Sequence, residues 1–273
     1  MNNICRFLGG KGSTWAYAIM SGVLAFIPEE VFKYGFIPCE WSDKTIIVAN
    51  RVLLFILIFL LSNFLYYCFR ISRRSVKLSD RTTIIKIEYG DICKISKGIK
   101  VINFDECYTT TVGMRPEEIK PDSVCGQYLD KNPIENIQPL LNQAGIKPIG
   151  KSKYNDIDSY EPGILLPRGN FYLMAFAKLD KDGRGFHTYE SYLKCLDVLW
   201  EQIDLYHGTE DVYIPILGSR ITRFDKDLTQ QELLDIMIAS YRLHPRKLRK
   251  PYTLHIVCLE REGFSLNDIF GVE

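Results

Sequence analysis

Two stretches of this chain hold side chains suited to gripping a charged organic ligand. The first is Gly218-Ser219-Arg220-Ile221-Thr222-Arg223, in which a glycine, two hydroxyls and two guanidiniums share one loop, directly after Leu217. Backbone N–H groups in such a loop, with Ser, Thr and Arg beside them, suit a diphosphate. The second stretch runs from 84 to 113 and contains Gly90-Asp91-Ile92, then Asn103-Phe104-Asp105-Glu106, then Thr109-Thr110-Thr111-Val112-Gly113. Asp105 and Glu106 have two uses open to them. They can recognise a cationic or hydrogen-bonding group, such as an imidazole or an α-amino group, or they can cap their own loop. Cys107 has no histidine close in sequence to activate it as a nucleophile.

Metal chemistry finds no frame. The histidines at 187, 207, 244 and 255 form no H-E-x-x-H pair, and the eight cysteines form no C-x-x-C, so no metal site and no resident cofactor are expected. The run from Asp180 to Gly185 has the flavour of a calcium loop. Its register fails, because Arg184 and Ser191 stand where carboxylates are required.

The elements that must position these residues read as α/β. Segments 84–87 and 99–102 are rich in Ile and Val and stop in polar, turn-forming residues. Ligands of α/β sheets sit at the carboxyl ends of such strands. Segment 171–177, FYLMAFA, is a continuous apolar run and is expected to be a central strand. Segment 189–206 carries Tyr192, Leu193, Leu196, Leu199, Trp200 and Ile203 at helical spacing. A strand is expected at 212–217, feeding the 218–224 loop. Thr229 and Glu232 form a capping box for a helix over 232–241. A last strand is expected at 253–259, followed by a short, helical tail at 265–270. Segment 123–129 is expected to lie over the site as a short helix or tight element, and 133–163 shows only weak periodicity.

The N-terminal part is a different material. Segment 46–69 is apolar, with an unbroken centre at 52–61, and is long enough for a bilayer core. Arg51 lies near one end, where its side chain could snorkel to the interface. Arg70, Arg73, Arg74, Lys77 and Arg81 follow, a cluster that stays cytoplasmic by the positive-inside rule. An earlier apolar segment, about 13–33, is the expected partner of a helical hairpin with both chain ends in the cytoplasm; a re-entrant or interfacial helix and a cleaved signal peptide are the alternatives. The expected organisation is therefore a transmembrane hairpin over 1–70 (helices about 13–33 and 46–69), a basic linker over 71–82 and a ligand-binding domain over 83–273. The 34 Lys+Arg nearly balance the 33 Asp+Glu, and 47% of the residues are hydrophobic. That argues against a disordered chain or one that coats nucleic acid.

Strand ends at 90–92, 103–113 and 217–224 together resemble the macro domain, the ADP-ribose-binding module. Gly90-Asp91-Ile92 is similar to that family's turn after an early strand, Val101-Ile102-Asn103 to the end of its second strand, and Pro215 with Gly218–Phe224 to its diphosphate loop. The phrases VINFDECYTTTVG, SVCGQYL, AFAKLDKDGRG, VLWEQID and PILGSRITRFDKDLTQQELLDIMIASYRL look like those of the membrane-anchored macro-domain effectors of the type II Thoeris anti-phage systems. The resemblance implies a three-layer α/β/α domain with a mixed central sheet behind the transmembrane hairpin. It implies a ligand, an ADP-ribose derivative such as histidine–ADP-ribose, made by a TIR-domain partner that consumes NAD. It also implies a homo-oligomer on activation, membrane disruption and cell death at the bacterial inner membrane. Asp91 with the Ile92 backbone would take the adenine. Asn103 and Thr109, Thr110, Thr111, Val112 and Gly113 would take the ribose and one phosphate. Leu217, Gly218, Ser219, Arg220, Ile221, Thr222 and Arg223 would take the diphosphate, with Asp105 free to meet a distinguishing group. Hydrolytic macro domains carry Asn-Ala-Ala-Asn and three glycines in a row, and this chain has neither. The expectation is a sensor without turnover; a membrane-tethered ADP-ribosyl hydrolase is the alternative.

Overall fold

The computed structural model describes residues 22, 26–33, 43–219, 222–261 and 263–269. The chain divides into two units, one ending at Arg73 and the other beginning at Arg74.

In the first unit, α1 is Glu29–Lys33 and α2 is Asp43–Ile71. With 29 residues, α2 extends about 43 Å, more than a bilayer core requires. Among the described residues it is the one helix long and apolar enough to cross a membrane. The earlier span expected at about 13–33 lies largely outside the described residues, so the described helices give a two-pass topology no support. Arg51 does not stand alone at the helix end. It pairs with Glu29 at 3.2 Å, and its guanidinium lies 5.2 Å from the centre of the Phe32 ring. Asn50 is buried and donates to the Phe32 carbonyl at 2.8 Å. Lys33 pairs with Asp43 at 2.7 Å.

The second unit opens with β1 (Ser75–Ser79) and β2 (Ile84–Tyr89), a 3-10 turn at Ile92–Lys94, and β3 (Ile99–Asp105). Then come α3 (Val124–Lys131), α4 (Gln138–Gln143), a two-residue hairpin β4 (Gly150–Lys151) and β5 (Asp158–Ser159), and β6 (Leu165–Arg168), β7 (Phe171–Leu179) and β8 (Gly185–His187). The chain ends through α5 (Tyr189–Tyr206), β9 (Val212–Pro215), β10 (Arg223–Phe224), α6 (Gln230–Leu243) and β11 (Leu254–Cys258). The main sheet runs β1-β2-β11-β9-β3-β7-β8-β10, with β6 beside β7. From β2 to β7 all neighbours are parallel, whereas β1 pairs antiparallel with β2, β6 and β8 pair antiparallel with β7, and β10 runs parallel to β8. Five strand ends therefore point the same way.

Alternation along the strands makes the layers, because successive side chains face opposite sides. Ile99 and Val101 of β3 join a core with Met174 of β7, Leu196, Leu199, Trp200 and Ile203 of α5, and Leu233 and Met237 of α6. Ile102 and Phe104 face the other way, onto Leu173 and Ala175 of β7, Tyr128 and Leu129 of α3, and Leu141 of α4. The expected mixed sheet and three layers are present. Helix α5 has the expected bounds, and the Thr229–Glu232 capping box opens α6.

Two expectations change. The stretch read as a basic linker holds β1, an edge strand with Val76 and Leu78 buried and Lys77 exposed between them. Charge masked a period-two pattern there. Residues 265–269 form turns rather than a helix; Leu266 and Ile269 are buried in the larger core without one. In the basic run after α6, Arg246 pairs with Glu201, and Lys250 Nζ donates to the Asp80 carbonyl at 2.6 Å.

Candidate functional site

A cavity of about 230 Å³ lies at the carboxyl ends of the parallel strands. Its walls come from the turn after β2, the loop between β3 and α3, the first turn of α3, the β7–β8 turn, and the loops after β9 and β11. Each wall follows from local chemistry. Asp91 caps the 3-10 turn by accepting from Cys93 N–H at 3.0 Å, and its other oxygen lies 3.6 Å from Lys94 Nζ. Asn103, near the end of β3, lines the cavity; its backbone belongs to the β3–β7 ladder, and its carboxamide has no hydrogen-bond partner among the described residues. Ser123 caps α3 by accepting from Gly126 N–H at 2.9 Å. Gly218 has φ +80, and a Cβ there would stand 2.6 Å from the Phe224 ring, so the turn after β9 needs glycine.

The acidic pair behaves as a loop fastener. Asp105 accepts from Cys107 N–H at 2.9 Å and Thr109 N–H at 3.1 Å. Burial raises its carboxyl above the ordinary value, against the pull of those bonds. Glu106 accepts from the Ser152 hydroxyl at 2.6 Å and Leu179 N–H at 3.0 Å. Asp105 still borders the cavity, and Glu106 does not. Burial pushes the Cys107 thiol up to about 12, so it stays protonated at neutral pH.

Beneath the Gly218 turn, His187 sits fully buried among Phe176, Tyr192 and Phe224, with Nδ1 3.0 Å from the Ser191 hydroxyl. Burial lowers its pKa from 6.5 to about 4. Between those values the unfolded chain binds the extra proton. The contribution of His187 is thus complete above pH 6.5 and is lost as pH falls to about 4. Thermal melts should show a midpoint that declines across this window. The decline should shrink by one proton's worth of slope in His187→Asn, and an unchanged profile in that variant would refute the assignment.

Of the residues expected at the site, the fold brings together Asp91, Ile92, Asn103, Asp105, Gly218, Ser219 and Thr222. Arg220 and Ile221 lie outside the described residues. The others do not line the cavity. Leu217 is buried in the core, where its carbonyl takes the Tyr192 hydroxyl at 3.2 Å. Arg223 is exposed and paired with Asp180 of the β7–β8 turn. Thr109 is held by Asp105. Thr110, Thr111, Val112 and Gly113 belong to a loop that folds back on itself: Ile119 N–H donates to Thr111 O and Gly113 N–H to Ile119 O, each at 3.0 Å. That fold-back puts Pro116 to Lys120 against the cavity in their place.

Sequence reasoning did not find those five residues, nor Phe176, Gln230 or Arg261. Arg261 had a usable signal, since the strand-end rule applies to β11 as it does to β2 and β3. The 116–120 segment had none, because only the backbone ladder with 111–113 places it.

The family described as Thoeris protein ThsA, macro domain, matches residues 85–259. Thoeris protein ThsA of Bacillus amyloliquefaciens (strain Y2) is 27% identical over 198 residues, which cover 67% of this chain and 65% of that protein. This chain thus spans just under two thirds of its relative's length. Among solved structures, an Oceanobacillus iheyensis macrodomain mutant with ADPR aligns at TM-score 0.46 and 11% identity, over 68% of this chain and 91% of that one. The macrodomain of the same organism with ADP aligns at TM-score 0.46 and 11% identity, over 68% and 89%. The family match spans well over half of the sequence, and the chain belongs to the macro-domain family of the Thoeris protein ThsA.

Proposed function

We propose that the second unit senses an ADP-ribose-derived signal, and that binding switches on a membrane-associated effector of anti-phage defence. The observation that carries this reading is the cavity at the ends of five parallel strands, with Asp91, the Asn103 carboxamide and the Gly218 turn on its walls, in a chain of this family. Asp91 takes the adenine amine, Asn103 the ribose, and the loop after β9 the diphosphate. The signal comes from a TIR-domain partner that consumes NAD, and histidine–ADP-ribose is its proposed form. Helix α2 supplies the membrane association. Occupied domains assemble, and clustering of their helices damages the membrane and kills the cell.

A binder is favoured over a hydrolase by the state of the candidate nucleophile: the Cys107 thiol is held at about 12 and does not border the cavity. The test is titration calorimetry of the full chain in detergent with ADP-ribose. Binding is expected, and a mono-ADP-ribosylated peptide incubated with the chain for hours should be recovered with its ADP-ribosyl group still attached. Asp91→Asn keeps a side chain able to cap the turn but removes the charge. It should weaken binding at least tenfold, the scale of one charge-assisted hydrogen bond. An Asp91→Asn variant with wild-type affinity removes the adenine assignment. Appearance of hydrolysed product restores the enzyme.

A further inference from the structure

A diphosphate is bound more tightly where a cation meets its charge, and the cavity is short of cations. Its described walls carry Asp91, Asp105, Glu117 and Glu118 against Lys120 and Arg261. Lys120 has its ammonium donated to the carbonyls of Met114 and Arg115 within its own loop. Arg223, one of the two arginines that the sequence pattern offered, is paired with Asp180 and does not line the cavity. Arg261 differs from both. It is half-buried in the loop after β11, and its Nη1 donates at 3.1 Å to the carbonyl of Ser219 in the loop after β9. The guanidinium therefore crosses from one wall to the loop expected to hold the diphosphate. It faces a single neutral acceptor among the described residues, because the neighbouring Glu260 is paired with Arg74 at 2.8 Å instead. A guanidinium offers five N–H donors in a rigid fork that matches two phosphate oxygens. Here most of that fork is unspent, and the bond to Ser219 presets its direction.

We infer that Arg261 is the specificity-determining residue of the cavity: it grips the ligand's diphosphate with both arms of the fork and sets the preference for ADP-ribose over adenosine. The inference rests on the ADP-ribose reading of the cavity and adds to it the group that reads the charge. It adds the β11 loop, in place of the arginine at 223, to the loop after β9 as the source of the charge that meets the anion.

The experiment is calorimetry on the full chain in detergent with ADP-ribose, adenosine and inorganic pyrophosphate as three separate probes. Arg261→Gln keeps much of the stem and removes the charge, and Arg261→Lys keeps the charge and removes the fork. Arg261→Gln should lose at least tenfold in ADP-ribose affinity and lose pyrophosphate binding, with adenosine changed less than twofold. Arg261→Lys should fall between Arg261→Gln and wild type. Arg223→Ala should stay within twofold of wild type for all three probes. An equal loss for ADP-ribose and adenosine in Arg261→Gln would mean that the side chain supports the loop or the base, and would overturn the assignment. So would an unchanged ADP-ribose affinity. A wild-type chain that binds neither ADP-ribose nor pyrophosphate overturns the cavity reading itself, and the assignment falls with it. Matching melting temperatures across the variants separate these outcomes from misfolding.

Discussion

Gly126→Ala is expected to lower the melting midpoint by roughly 6–12 °C and to cost at least tenfold in ADP-ribose affinity. Propensity argues the other way, since alanine inside a helix is worth up to about 1 kcal/mol over glycine. Packing decides the sign. A Cβ at Gly126 would stand 2.2 Å from the Lys120 carbonyl oxygen and 2.9 Å from Pro121 Cα. Both neighbours are backbone, so no rotamer relieves the contact, and either α3 or the 116–121 segment has to move. Overpacking of this kind costs about 1–3 kcal/mol, and a backbone collision belongs at the upper end. Each kcal/mol shifts the midpoint by roughly 2–4 °C for a domain of this size. The functional cost follows because both displaced segments line the cavity. Calorimetry and a thermal melt on the same preparation check the pair of effects, and a variant as stable as wild type that binds normally would show that the contact is slack.

The largest pure stability effect is expected from Trp200→Ala, at about 3–5 kcal/mol. Trp200 is fully buried between α5 and α6. Its ring meets that of Tyr241 edge-on at 5.1 Å, and its Nε1 donates to the Ser240 hydroxyl at 3.0 Å. Truncation leaves a cavity and strips Ser240 of that donor at once. The residue does not border the ligand cavity, so ADP-ribose affinity measured well below the lowered midpoint should match wild type. Denaturant unfolding followed by tryptophan-independent far-UV signal measures the loss. A change below about 1 kcal/mol would mean that the two helices close over the gap.

The contrast between these two positions shows what the sequence could and could not display. Trp200 was legible: it sits in a helical stripe whose spacing predicts burial, and α5 appears with the expected bounds. Strands β2, β3, β7, β9 and β11 were legible for the same reason, as apolar runs punctuated by turn residues. So were Asp91, Asn103 and Gly218, which stand at strand ends. Gly126 was not, because the atom it must avoid belongs to a segment whose position depends on a bridge between Val112 and Ile119. Arg223 was misleading. Its loop has the right composition for a phosphate, but two residues of it pair with β8 and turn the guanidinium onto Asp180. Local composition reports which groups a loop owns. Which of them face a ligand depends on pairings between distant segments, and those leave no periodic trace.

Strand β1 bears on how copies of this chain can meet. It is the outermost strand at its end of the sheet, with its middle residue, Lys77, exposed between buried Val76 and Leu78. An edge like this offers unpaired backbone groups to any other strand, and a lysine at its centre is a common guard against such joining. Two copies that tried to extend one sheet across an antiparallel seam centred on this strand would set Lys77 against Lys77. That opposes a closed dimer built by joining two β1 edges, and leaves contacts between copies at this end of the sheet to side-chain surfaces.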